Sequence, residues 1–273
     1  NPPDQGPRDC TLTITHHGSP GTNLWLRSPV HVSATATDAV SGVKDLQWRL
    51  AGQAWQSGPV PPLTADGTQV VEFRAGDQAG RETRRQLVVR IDQTAPTLAP
   101  RVNGTPGLNG WYVSPVTLQA NAADATAGIA AVVPAAELSL SADGTHTIHW
   151  TAWDLAGNSA AAASRVQIDQ TPPAVAFDEP AGPLVGTVTL TGRAADAGSG
   201  LQSVAVSTNL GLTWTPVSLQ PDGSWALSWN TFEFPGGRLA VLARAIDQAG
   251  NRRVVSLAAT IRNRPPGIGL TPR

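Results

Sequence analysis

The sequence predicts an all-β protein of three tandem β-sandwich domains. Three observations predict it. A set of motifs recurs in the same order along the 273 residues. Apolar residues alternate with period two between the recurring motifs. Asp-Gly and Asp-x-x-x-Gly turns punctuate the alternating segments.

The repeat comes first. GSPGTNLWLRSPV at 18–30 matches GTPGLNGWYVSPV at 104–116, and the register continues ungapped through HVSATATDAVSGV and TLQANAADATAGI. LTADGTQVVEFRAGDQAG at 63–80 matches LSADGTHTIHWTAWDLAG at 140–157, and IDQTAP at 91–96 matches IDQTPP at 168–173. The offset falls from 86 in the first half to 77 in the second, so the middle copy lacks nine residues between Ile129 and Leu140. A diverged third copy carries GRAADAGSGLQSVAV at 192–206 and ARAIDQAGN at 243–251. The expected domains are 1–96 (an N-terminal tail plus the first), 97–173 (the shortened second) and 174–264, followed by a Pro/Gly-rich linker or tail at 265–273.

Each copy opens on a strand with one apolar face: Val30, Val32, Ala34 and Ala36 in the first, Val116, Leu118, Ala120 and Ala122 in the second, and Val188, Leu190 and Ala194 in the third. Leu46, Trp48 and Leu50 alternate in a further strand. A longer pair closes each copy, as Val71, Phe73 and Ala75 followed by Leu87, Val89 and Ile91 show. One dry and one wet face per strand suits two antiparallel sheets packed face to face. Ala-rich stretches at 120–136 and 160–163 favour helix by propensity, but Gly128, Pro134 and the repeat register assign them to strands or loops. Around 125–139 the lost residues predict irregular backbone and an uncovered sheet edge. At the turns, Asp38, Asp77, Asp124, Asp154, Asp196 and Asp247 are placed to accept backbone N–H bonds. Gly42, Gly80, Gly128, Gly157, Gly200 and Gly250 are placed to take positive φ.

Composition narrows the function. Net charge is -1, with 19 Lys+Arg against 20 Asp+Glu, which disfavours nucleic acid and anionic membranes as partners. No apolar run approaches the roughly 18 residues of a membrane span. The single cysteine, Cys10, excludes an intrachain disulfide and a Cys-rich zinc site, and reads as either a lone buried thiol or half of an intermolecular disulfide. There is no Met, and the ending IRNRPPGIGLTPR reads as a linker leading onward, so the chain is expected to be a processed mature form or an excised fragment. No nucleophile elbow or paired-carboxylate cleft is recognisable, so no catalytic residue and no cofactor are expected. The six turn aspartates read first as turn caps, with calcium as the alternative, and Asp92, Asp169 and Asp178 in the linkers extend that alternative to a site between domains. His146 and His149 point to opposite strand faces and do not chelate. Trp153, Trp214, Trp225 and Trp229 are the candidate binding aromatics, for a sugar ring or a protein surface.

At G-W-Y-x-S-P-V (110–116), A-x-D-x-x-x-G (122–128), A-D-G-x-H-x-x-x-x-x-A-x-D-x-A-G-N (142–158) and D-x-T-x-P (169–173) the chain resembles tandem bacterial immunoglobulin-like repeats, with fibronectin type III close at the level of fold. The resemblance covers roughly residues 15–262 and implies immunoglobulin-like Greek-key sandwiches in an extracellular or cell-surface setting. It implies a non-catalytic structural or spacer segment of a bacterial surface or secreted protein. Such a segment presents or scaffolds other domains or subunits of a surface assembly, with no membrane span of its own. The alternatives it leaves open are a protein- or carbohydrate-binding adhesion module, with glycan as ligand, and an accessory region of a secreted hydrolase.

Overall fold

The structure is a computed structural model and describes residues 10–234 and 236–263. The tail before residue 10 and the segment 265–273 lie outside the described residues. The fold is all-β, with one 3-10 turn at Thr231–Glu233. The first copy contributes β1 (Thr11–His17), β2 (Trp25–Leu26), β3 (His31–Thr37), β4 (Val43–Leu50), β5 (Gln56–Ser57), β6 (Gly67–Asp77) and β7 (Glu82–Ile91). The middle copy contributes β8 (Thr97–Asn103), β9 (Trp111–Tyr112), β10 (Val116–Ala123), β11 (Ile129–Val133), β12 (Glu137–Leu140), β13 (Gly144–Asp154) and β14 (Ser159–Ile168). The third contributes β15 (Ala174–Phe177), β16 (Thr187–Ala195), β17 (Leu201–Ser207), β18 (Thr215–Val217), β19 (Ser224–Asn230), β20 (Gly237–Asp247) and β21 (Arg252–Ile261).

Each copy has one small and one large sheet. The small sheets run β1-β3, β12-β10-β8 and β15-β16-β19, and the large ones β2-β7-β6-β4-β5, β11-β13-β14-β9 and β18-β17-β20-β21. The two-residue strands carrying Trp25 and Trp111 pair parallel to β7 and β14, through Trp25–Arg90 and Trp111–Gln167. The region 125–139, expected to be irregular, holds β11 and most of β12, and β11 is the edge of its sheet. The lost residues removed the strand beyond it.

Those residues also removed a surface device. In the first copy Trp55 lies beneath the guanidinium groups of Arg49 and Arg74, each 4.5 Å from the ring centroid. In the third, Arg244 lies 4.4 Å over Trp214. Arg74 and Arg244 hold the same place, three residues before the turn aspartate, where the middle copy has Thr151 and no tryptophan to cover.

Contact density divides the chain into two compact units, 1–101 with 119–137 and 149–164, and 102–118 with 138–148 and 165–273. The division passes through the middle copy, and strands β8, β10, β12, β13 and β14 each have residues in both units. Each linker between copies therefore lies with its neighbouring loops inside a single unit. The first unit has a core of Leu12, Val30, Trp48, Val71, Phe73 and Ile91, with Cys10 also buried in it, as in the first of the two readings of that thiol. β1 draws Cys10 in, because its apolar face begins one residue before the paired segment. The second unit has a core around Leu190, Val204, Val206, Trp225, Trp229, Val241 and Ile261.

Candidate functional site: the junctions between copies

Two turns meet at one end of the middle and third copies. In the first of these turns Asp124 Oδ1 accepts N–H bonds from Thr126, Ala127 and Gly128 at 3.1, 2.8 and 2.8 Å. Asp196 Oδ2 likewise accepts from Gly200 at 2.7 Å. In the second turn Asp154 Oδ1 accepts from Gly157 and Asn158, and Asp247 Oδ1 from Asn251 at 2.8 Å. The six turn glycines take φ between 82° and 95°. A β-bulge directly follows the first turn in all three copies, opposite the aspartate that opens the second, with register shifts between Val43 and Asp45, Ile129 and Ala131, and Leu201 and Ser203. Bulges of this kind re-aim side chains beside a site.

The linker aspartate completes the group. Asp92 Oδ2 accepts from Ala127 N–H at 3.2 Å, and Asp169 Oδ2 from Ser199 N–H at 2.7 Å. Asp92, Asp124 and Asp154 thus each bring one carboxylate oxygen to within 4.8 Å of the others, as do Asp169, Asp196 and Asp247. Asp92, Asp154, Asp169 and Asp247 are buried, and Asp124 and Asp196 half-buried. Burial and the neighbouring Asp124 and Asp154 charges raise the Asp92 pKa against the lowering bond from Thr94 N–H. Burial raises that of Asp196, joined by the Asp169 and Asp247 charges and opposed by the Gly200 bond. Among the described residues, Asp38 and Asp77 of the first copy gain no third carboxylate, and linker Asp178 joins neither group.

The same linkers are clamped to the copy before them. Asp66 Oδ1 accepts from Gln93 N–H at 3.0 Å and its Oδ2 from the Thr94 hydroxyl at 2.6 Å. Asp143 does the same with Gln170 N–H at 3.0 Å and the Thr171 hydroxyl at 2.6 Å. Burial pushes both carboxyls upward, and these hydrogen bonds outweigh it and hold them below the ordinary value. The Asp-Gly turn and the Asp-Gln-Thr linker, read as separate features in the sequence, are therefore two halves of one contact. Their joint recurrence 27 residues apart in two copies is the signal that could have revealed it.

A loop of the preceding copy then caps the second turn of the next. Thr22 N–H donates to Ala156 O at 2.9 Å, and Leu108 N–H to Ala249 O at 2.8 Å. Asn23 Nδ2 donates to Leu155 O, and Asn109 Nδ2 to Gln248 O. In return Asn158 Nδ2 donates to Asp92 O at 3.0 Å, and Asn251 Nδ2 to Asp169 O at 2.8 Å. A Cβ on Gly21 would stand 2.3 Å from Ala156 O, and one on Gly107 2.3 Å from Ala249 O, so only glycine admits this approach. Ala156 and Ala249 are fully buried by the contact, whereas Ala79, their counterpart in the first copy, is exposed.

The four candidate tryptophans separate. Trp225 and Trp229 are core residues, not binding aromatics: Trp225 stacks edge-on against Phe177 with centroids 5.2 Å apart, and Trp229 does so against Phe234. Gly192, opposite Trp225 in the ladder, leaves room for the indole, since a Cβ there would meet the ring at 2.3 Å. Their spacing of four, with Leu227 midway on the same face of β19, was the sequence sign of burial. Trp214 is half-buried under Arg244, and Trp153 is 37% exposed.

No family model matches the sequence, and no curated protein sequence matches it. Solved structures resemble the fold. One, described as giving insight into host cell surface retention of a 1.5-MDa bacterial ice-binding adhesin, is 16% identical over 93% of this chain and 98% of that one, with a TM-score of 0.35. An I-band fragment of titin is 12% identical over 93% of this chain and 98% of its own, with a TM-score of 0.49. Extracellular cadherin domains 3–6 of protocadherin gamma B2 are 14% identical over 94% and 79%, with a TM-score of 0.32.

Proposed function

We propose that this chain is a non-catalytic, extracellular segment of an adhesion-type surface protein, a series of β-sandwich domains that fixes the spacing between other binding regions. In this reading domain boundaries fall at 96/97 and 173/174. The observation that carries it is that both junctions are built from one pattern of bonds: linker aspartate to turn, linker glutamine and threonine to the Asp-Gly turn, and loop backbone to turn backbone. A flexible tether needs no such contacts. The motif resemblance to bacterial surface repeats supports the setting, and the burial of Trp225 and Trp229 supports a presenting role over direct sugar stacking.

The test is a glycan and protein panel read by tryptophan fluorescence on the full chain, together with amide exchange at Thr22 and Leu108. Protection of both amides to the level of the strands, with no saturable ligand, is the expected outcome. Loop-rate exchange at both positions, or a ligand bound by the segment itself, would remove the basis for a spacer.

A further inference from the structure

We infer that Asp169, Asp196 and Asp247 form a binding site for a calcium ion at the second junction. This deepens the reading above and rests on the junction being the working part of the segment. Three carboxylates converge, two of them on fully buried residues. The ion pairs of the described residues, Arg49–Glu72, Arg74–Glu82 and Arg84–Glu82, involve none of the three. A second observation coincides with the cluster: Asp38 and Asp77, turn caps of the first copy, also leave an Oδ2 buried and unpartnered, but among the described residues only at Asp247 does such an oxygen belong to a residue whose carboxylate converges with two others. Asp247 Oδ1 is satisfied by Asn251 N–H, while its Oδ2 is buried with no hydrogen-bond partner. A buried, unpartnered carboxylate oxygen is costly unless something positive meets it.

The comparison with the first junction sharpens the point. There Asn158 Nδ2 donates to Asp154 Oδ2 at 2.9 Å, so that oxygen has its partner. At the second junction the bond found for the equivalent amide of Asn251 runs to Asp169 O. The turn also makes space: a Cβ on Gly198 would lie 2.6 Å from the Asp169 carboxylate, where the first junction carries Thr126.

The donor set fixes the ligand class. Three carboxylates, without His or Cys, suit a hard cation. Their half-open turn setting suits the flexible, six- to eight-oxygen shell of calcium, completed by second oxygens and water, over the strict octahedron of magnesium.

The experiment is calorimetric titration of the full chain with calcium chloride after chelator treatment, on wild type, Asp247→Asn and Asp196→Asn, with thermal unfolding of the same samples. Wild type is expected to bind with a Kd of about 0.1–1 mM, the range of extracellular modules, and magnesium at least about tenfold more weakly. Asp247→Asn keeps the acceptor for Asn251 N–H and so keeps the turn. It is expected to weaken calcium at least about tenfold, yet to raise the calcium-free Tm, because one of three repelling charges is gone. Unchanged calcium binding in both variants, no calcium-dependent rise in the wild-type Tm, or equal affinity for magnesium would each overturn the assignment. Such a failure would leave the junction reading intact, since that stands on exchange at Thr22 and Leu108.

Discussion

Gly107→Ala is the sharpest probe of the junctions. Its new Cβ would sit 2.3 Å from Ala249 O and 2.8 Å from Val113 Cγ1. The first distance falls about 1 Å short of an ordinary contact, and the obstacle is backbone, which cannot rotate aside. Moving loop and turn apart by that amount stretches the Leu108 N–H bond to Ala249 O, now 2.8 Å, beyond hydrogen-bonding range. Overpacking costs about 1–3 kcal/mol and the lost bond about 0.5–1.5 kcal/mol, so destabilisation of about 2–4 kcal/mol is expected. Calorimetry would read it in the transition that melts the third copy, and amide exchange would read it at Leu108. Gly182→Ala is the control, because a Cβ there meets nothing within 4 Å. If Gly107→Ala stayed within about 0.5 kcal/mol of wild type, the usual scatter of surface substitutions, with Leu108 still protected, the close-approach argument would be refuted.

Other outcomes follow from the same contacts. Ser164→Ala strands Trp150 Nε1, which donates to the Ser164 hydroxyl at 3.1 Å in a buried site, and should cost about 1–3 kcal/mol in denaturant unfolding. Trp225→Ala should cost about 3–5 kcal/mol, as for other buried aromatics, and a loss near zero would return Trp225 to the surface. Arg244→Met should cost about 0.5–1 kcal/mol by removing the cation from the face of Trp214, with a matching change in fluorescence. For pH, Asp92 and Asp196 titrate above their ordinary 3.8 in the folded chain. Their stabilising, protonated form is therefore lost as pH rises through the folded pKa, and calcium-free protein should gain stability from this pair as pH falls through their folded pKa values toward 3.8. Asp38, Asp66, Asp143 and Asp222 are lowered, so what they add persists until pH drops below 3.8. Replacing either residue by Asn and finding the acid-side gain in Tm above pH 3.8 unchanged would contradict the raised pair.

Much of the fold was legible because strand parity is. Val71, Phe73 and Ala75 are buried as their alternation demands, and so are Val241, Ala243 and Ala245. The same parity carries on to Asp77 and Asp247, placing a carboxylate on the dry side of its strand, and this was the unread clue to the site. The sequence expectation kept Asp92 and Asp169 as linker alternatives, because nothing local shows that the chain folds back onto a turn some thirty residues ahead. The tryptophans of β19 were misjudged for the opposite reason. Clustering in sequence looked like a surface patch, while their spacing and the facing Gly192 described a core.

The capping loop at Gly21 and the turn that receives it at Ala156 are separated by more than a whole copy of the repeat. A recombinant fragment cut at the linker after Ile91 would keep the donor half of a handshake and discard the acceptor. Fragments for biophysics or crystallisation should therefore carry the following copy along. Shuffled arrays should exchange loop and turn as matched pairs, whatever the apparent borders of the repeats.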